Sequence, residues 1–160
     1  MGGWTKFEGK SLVFDRKHKP DPRERTTEFS GFANLSGQLN LVDLPTGDFA
    51  KNTPLGFDIL FANGHTDKLM IPHIQYQDKT IVFVSDLLPT VGHIPLPYVM
   101  GYDTRPLLTM EEKDKFLNIA ADNNYFLFFE HDATNEICTV KHTEKGVRLK
   151  QTYTFNEVFN

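Results

Sequence analysis

Cysteine is nearly absent from this sequence. The 160-residue chain has one, Cys138, which excludes an internal disulfide and with it the disulfide-stapled class of small secreted folds. No apolar run is long enough to cross a bilayer, so no membrane partner is expected. The opening residues, MGGWTKFEGK, lack the apolar stretch of a signal peptide. Together these absences point to a reducing, cytoplasmic setting. A strong charge of one sign is lacking too. The formal net charge of -4 at pH 7 gives no general attraction to nucleic acid or anionic lipid. The one basic cluster, Arg16-Lys17-His18-Lys19 with Arg23 and Arg25, is diluted by Asp15, Asp21 and Glu24 and has no interleaved aromatics. It reads as a solvated surface rather than a nucleic-acid site. There is no internal repeat or low-complexity segment, so residues 1–160 read as a single domain, long enough to bury a core.

What is present is a mixture of short apolar runs and helical patterns. Phenylalanine is abundant, at 14 residues, and much of it lies in runs that read as buried strands. Asp21, Pro22 and Glu24 fit the cap, first position and capping box of a helix that Gly37 could end. Residues 39–44 suit a short strand. Residues 57–62, 68–76 and 80–85 read as strands, the last two joined as a hairpin through Gln77-Asp78-Lys79. Residues 87–108 are rich in proline and glycine and have no period; a loop of that length is more often functional than idle. Thr109 reads as the N-cap of a helix with Glu112 completing a capping box, and Phe116, Leu117 and Ala120 give that helix an apolar stripe. Strands at 125–129, 137–141 and 147–154 follow, the last two as an antiparallel pair. The expected class is α+β, a mainly antiparallel or mixed sheet packed by helices on one face.

Three of the apolar runs end in a residue that can bind a metal. FDILFANGH ends at His65, TIVFVSD at Asp86 and YFLFFEH at His131. Residues at strand ends collect along one rim of a sheet, where a rigid strand aims a short loop accurately. Two imidazoles and a carboxylate suit zinc, and also iron or manganese. Taken singly, each residue has a plainer reading: a histidine at the edge of a strand, or an aspartate that forms a turn. The shared context of all three is what singles them out.

Gly64-His65-Thr66 resembles the GHT motif of metallo-β-lactamase-fold hydrolases. Phe83-Val84-Ser85-Asp86 is similar to the segment carrying their metal-bridging aspartate, and Glu130-His131-Asp132 to the last-strand motif whose histidine completes the second metal site. The resemblance covers residues 57–147, and Gly92-His93-Ile94-Pro95-Leu96-Pro97 is similar to the loop beyond the aspartate in some of these enzymes. The family's HxHxDH motif does not occur. The resemblance therefore implies the C-terminal half of an αββα sandwich. In the intact fold, one or two zinc ions lower the pKa of a bound water, with iron or manganese as alternatives. His65 and His131 would be ligands to the first and second ion, and Asp86 the bridging ligand and catalytic residue. The implied substrate is a small ester, lactone or amide. With three ligands for two ions, the chain alone is expected to bind metal weakly and to have little or no activity. The alternative is a non-catalytic half-domain that self-associates, as a homodimer, through the apolar face where the other half would pack.

The long loop supplies further candidates. His93 either lines the site mouth or is a solvent-exposed loop residue. Tyr102 shares that loop. Arg105 could grip a substrate carboxylate or phosphate, or hold the loop by a salt bridge. Glu130 or Asp132 could orient the His131 ring. His73 and His142 read as structural, and Cys138 as a core residue rather than a nucleophile.

Overall fold

The computed structural model describes residues 47–160 and the backbone of three two-residue strands before them. Those strands, β1 (Lys6–Phe7), β2 (Lys10–Ser11) and β3 (Val42–Asp43), form a small antiparallel sheet in that order. β3 falls within the strand expected at 39–44. The helix expected from Asp21 and the basic cluster lie outside the described residues.

The main sheet has seven strands: β4 (Phe49–Ala50), β5 (Asp58–Ala62), β6 (Leu69–Tyr76), β7 (Lys79–Phe83), β8 (Phe126–Phe128), β9 (Ile137–Thr143) and β10 (Gly146–Tyr153). Their spatial order is β10-β9-β8-β7-β6-β5-β4. Every neighbouring pair is antiparallel except β7 and β8, which run parallel. A parallel pair needs a crossover, and here it consists of the long loop and α1 (Pro106–Asp122).

Side-chain alternation sorts the sheet into two faces. Leu69, Ile71, Val82, Leu127, Cys138 and Val140 form one face, and Phe116, Leu117 and Ala120 of α1 pack on it in a single core. Burying a side chain such as Leu127 or Val82 fully contributes about 1.5–3 kcal/mol. Thr109, Lys113, Phe116, Leu117 and Ala120 are the buried residues of α1, and their spacing gives the one stripe that a helix can lay on a sheet. Ile59, Phe61 and Met70 cluster on the opposite face. So do Ile81 and Ile137, which pack against Val158 of the short helix α2 (Phe155–Phe159). The architecture is thus the expected α+β mixed sheet with its principal helix on one face. The addition is α2, whose Thr154 and Glu157 form a full capping box.

The start of α1 departs from the expectation. The helix begins at Pro106, not after a Thr109 cap, and Arg105 occupies the cap position without a side-chain bond. Proline suits the first helical position, where its missing N–H costs nothing. Thr109 lies inside the helix, buried, its Oγ1 donating to the Arg105 carbonyl. Glu112 is drawn instead to the backbone beyond β5.

Candidate metal centre

The three strand-end residues meet because of strand direction and register. β5, β7 and β8 point the same way, since β6 runs antiparallel to both β5 and β7. Phe83 of β7 is paired with Phe128 of β8. Asp86 and His131 each follow their paired phenylalanine by three residues, so they emerge side by side at the carboxyl edge of the sheet. Open α/β sheets place their sites at the same edge.

Asp86 joins the two histidines. His131 Nε2 lies 3.0 Å from Asp86 Oδ1, and His65 Nε2 lies 3.4 Å from Asp86 Oδ2. Each carboxylate oxygen therefore faces a different imidazole. The residue before Asp86, Ser85, is buried with φ of +48°, in the left-handed region that a non-glycine residue adopts at a cost. That bend turns the chain from β7 into the short 3-10 turn Ser85–Leu87.

His65 is held more tightly than the other two. Its Nδ1 is 2.8 Å from Asp103 Oδ1, and the Asp103 side chain is only 1% exposed. A carboxylate can only accept, so Nδ1 carries the proton and Nε2 is the nitrogen presented to Asp86. The turn that carries His65 is clamped from several sides. Glu112 accepts from the backbone N–H of Asn63 at 2.8 Å and of Gly64 at 2.9 Å. The Arg105 backbone N–H donates to the Gly64 carbonyl, and the Thr104 hydroxyl donates to the carbonyls of Gly64 and His65. Gly64 itself lies against α1: a Cβ there would be 2.3 Å from the Thr109 backbone nitrogen and 2.5 Å from its Cα. No side chain fits at that separation, which explains glycine beside the histidine.

The other flank is organised by Asp132. It accepts from the backbone N–H groups of Val91, Thr134 and Asn135 and from the Asn135 side chain. Burial opposes its ionisation, but these donors outweigh that and pull its pKa down to about 2. Asp132 thereby ties the turn after β8 to the second 3-10 turn, Val91–His93. The long loop is further pinned by Lys113. Its ammonium is buried within α1's inner stripe and donates to the carbonyls of His93, Pro95 and Tyr98. Burial lowers its pKa to about 8, opposed by the charge of Asp103.

His93 is partly buried, and its Nδ1 is 2.9 Å from Thr90 Oγ1. Burial and then Lys113 lower its pKa. Tyr102 is exposed. Arg105 donates to the Asn63 carbonyl and to Asp67, each at 2.7 Å, so it holds the His65 turn as the loop-holding reading supposed. Among the described residues, none of the three makes a hydrogen bond within the cluster. His73 is buried against Ile71's carbonyl and three aromatic rings, and His142 pairs with Asp122 at the surface. Burial pushes the Cys138 thiol up to about 12, which keeps it neutral in the core.

Sequence reasoning missed Asp103, Glu112 and Lys113 as parts of this site. Only Glu112 gave a signal, and that signal pointed to a helix cap.

The donor set fits a metal. Carboxylates flank both ring nitrogens of His65, and Nδ1 holds its proton toward Asp103. Nε2 is then the ring nitrogen free to share an ion with Asp86. Two ligands about 2.1 Å from one ion, at tetrahedral or octahedral angles, stand about 3.0–3.4 Å apart. Both histidine–aspartate separations match that edge length.

Comparison with solved structures finds the same fold. A probable metal-dependent hydrolase from Staphylococcus aureus is 23% identical with a TM-score of 0.53, over 68% of this chain and 40% of that one. AbOPH, a hydrolase of the β-lactamase superfamily, is 19% identical with a TM-score of 0.55, over 62% of this chain and 35% of that one. AidC, a dizinc quorum-quenching lactonase, is 20% identical with a TM-score of 0.59, over 84% of this chain and 47% of that one. This chain thus has part of the metallo-β-lactamase fold and spans less than half the length of these structures. No protein-family model and no curated protein sequence matches it.

Two predictions follow from the geometry. Gly64→Ala forces apart the turn and the α1 backbone and lowers stability by about 2 kcal/mol or more in urea unfolding; a loss under about 0.5 kcal/mol would contradict the close approach. The folded pKa of Asp132 is depressed, so its contribution is complete above its ordinary value of 3.8 and fades as pH falls toward about 2. In chelator-treated protein, the melting-temperature gap between wild type and Asp132→Asn is therefore widest near about pH 6 and closes below about pH 4. A gap that persists unchanged to about pH 2 is incompatible with this role.

Proposed function

We propose that this chain carries part of the site of a metal-dependent hydrolase acting on a small ester, lactone or amide. The observation that carries the reading is Asp86, whose two oxygens each face the Nε2 of a different histidine. That is the disposition of a carboxylate shared between two ions. The fold is shared with solved structures described as a metal-dependent hydrolase and a dizinc lactonase, which supports the same class.

Zinc is the first choice for two imidazoles and a carboxylate, with iron or manganese as alternatives. Such an ion, when bound, supplies Lewis-acid polarisation and lowers the pKa of water. The residues of the chain do the rest. Asp103 fixes the tautomer and the ring plane of His65. The His65 side chain is 12% exposed, whereas Asp86 is 25% and His131 33% exposed. A substrate carbonyl can therefore approach from the Asp86 and His131 side, while His65 stays anchored beneath.

The test is a panel of chromogenic esters, lactones and amides offered to the zinc-loaded protein. Slow hydrolysis is expected, lost on chelation and reduced at least about 100-fold in Asp86→Asn. Hydrolysis that survives both treatments contradicts the proposal.

A further inference from the structure

The main sheet ends on two unlike edges. β4 is two residues long, whereas β10 is eight. Along β10, Leu149, Lys150, Gln151 and Thr152 are exposed in succession, and among the described residues no strand pairs with its outer side. An edge of that length presents a row of unpaired N–H and C=O groups to solvent. The hairpin that carries it is basic, in a chain whose net charge is -4. Lys141 of β9, Lys145 of the turn, and Arg148 and Lys150 of β10 stand with one carboxylate, Glu144, while His142 pairs with Asp122. Arg148 lies directly opposite Lys141. Like charges so placed repel, and among the described residues neither forms an ion pair. Charges on an edge strand guard it against chance pairing, and so does the irregularity between Leu149 and Gln151. That reading does not account for Lys141, which is on the inner strand and adds repulsion without guarding the edge.

We infer that the β10 edge is a docking surface for an extended acidic segment of another protein, which joins the sheet as a further strand. Main-chain pairing supplies the contact, and it tolerates many side-chain sequences. Arg148 and Lys141 are cross-strand partners and therefore share one face of the sheet. Carboxylates on alternate residues of the added strand come to that face and relieve the repulsion between the two cations. A second copy of this chain is disfavoured, because edge against edge it sets Arg148 and Lys150 beside the same two cations. A nucleic acid answers the charge but has no row of amides and carbonyls to match the edge. The interaction requires neither the metal centre nor hydrolysis.

Anisotropy titration with a fluorescein-labelled octapeptide of alternating glutamate and valine tests this. Wild type is expected to bind it, and the peptide slows hydrogen exchange at the β10 amides. Replacing glutamate by lysine, or N-methylating the peptide throughout, weakens binding at least about tenfold. Lys141→Gln combined with Arg148→Gln does the same, with native circular dichroism required of the variant; both side chains lie outside the core. If the N-methylated peptide binds as tightly as the parent, or an oligothymidine of equal charge does, strand addition is wrong. Equal binding by the double variant refutes the role of the two cations. Failure of wild type to bind the peptide overturns the proposal, as does protection of β10 by dimerisation, seen in sedimentation without peptide.

Discussion

The parallel pairing of β7 with β8 is the contact on which the site depends. Among the described residues it is the one parallel pair in an otherwise antiparallel seven-stranded sheet. Phe83 stands opposite Phe128, and three residues further along each strand come Asp86 and His131. A slip of one residue would reverse the face of every side chain on the shifted strand, and the buried alternation of Val82 and Leu127 against α1 forbids it. The same burial that stabilises the core thus fixes the distance between two polar groups at its edge. The crossover that a parallel pair requires also supplies the long loop and α1, which brace the His65 side.

That bracing is mostly backbone chemistry. Glu112 receives two amides of the His65 turn, Arg105 and Thr104 reach its carbonyls, and Gly64 permits contact with the helix. Asp103, buried and bonded to Nδ1, sets the ring orientation. On the opposite flank, the hydrogen bonds of Asp132 lock the turn carrying His131 to the loop beyond Asp86. The turns carrying His65 and His131 are therefore braced by hydrogen bonds in the absence of an ion, and preorganisation of that kind is what a metal site needs from its protein.

The legible parts of the sequence were those where a local pattern has one physical meaning. Apolar runs followed by His65, Asp86 and His131 gave the strands and the ligand candidates, because a strand end projects its last polar residue from a fixed rim. The supporting residues were not legible. Asp103 sits in an aperiodic loop, and nothing local marks it as the partner of a histidine 38 positions earlier. Glu112 was misread because Thr-x-x-Glu describes a capping box equally well when the glutamate's real partners are 48 and 49 residues away. Thr154 and Glu157 do form such a box, yet it was hidden behind a strand read one residue too far. Nothing local marks Lys113 either; its burial depends on three carbonyls that only the folded loop brings together.

The central claim is that the carboxyl edge of β7 and β8 is a metal site. Anomalous diffraction at the zinc edge, from crystals of zinc-loaded protein, addresses it without relying on activity. The account predicts a peak about 2.0–2.2 Å from an Asp86 oxygen and from His131 Nε2. Zinc located only elsewhere on the surface, with the Asp86–His131 contact undisturbed, would contradict it.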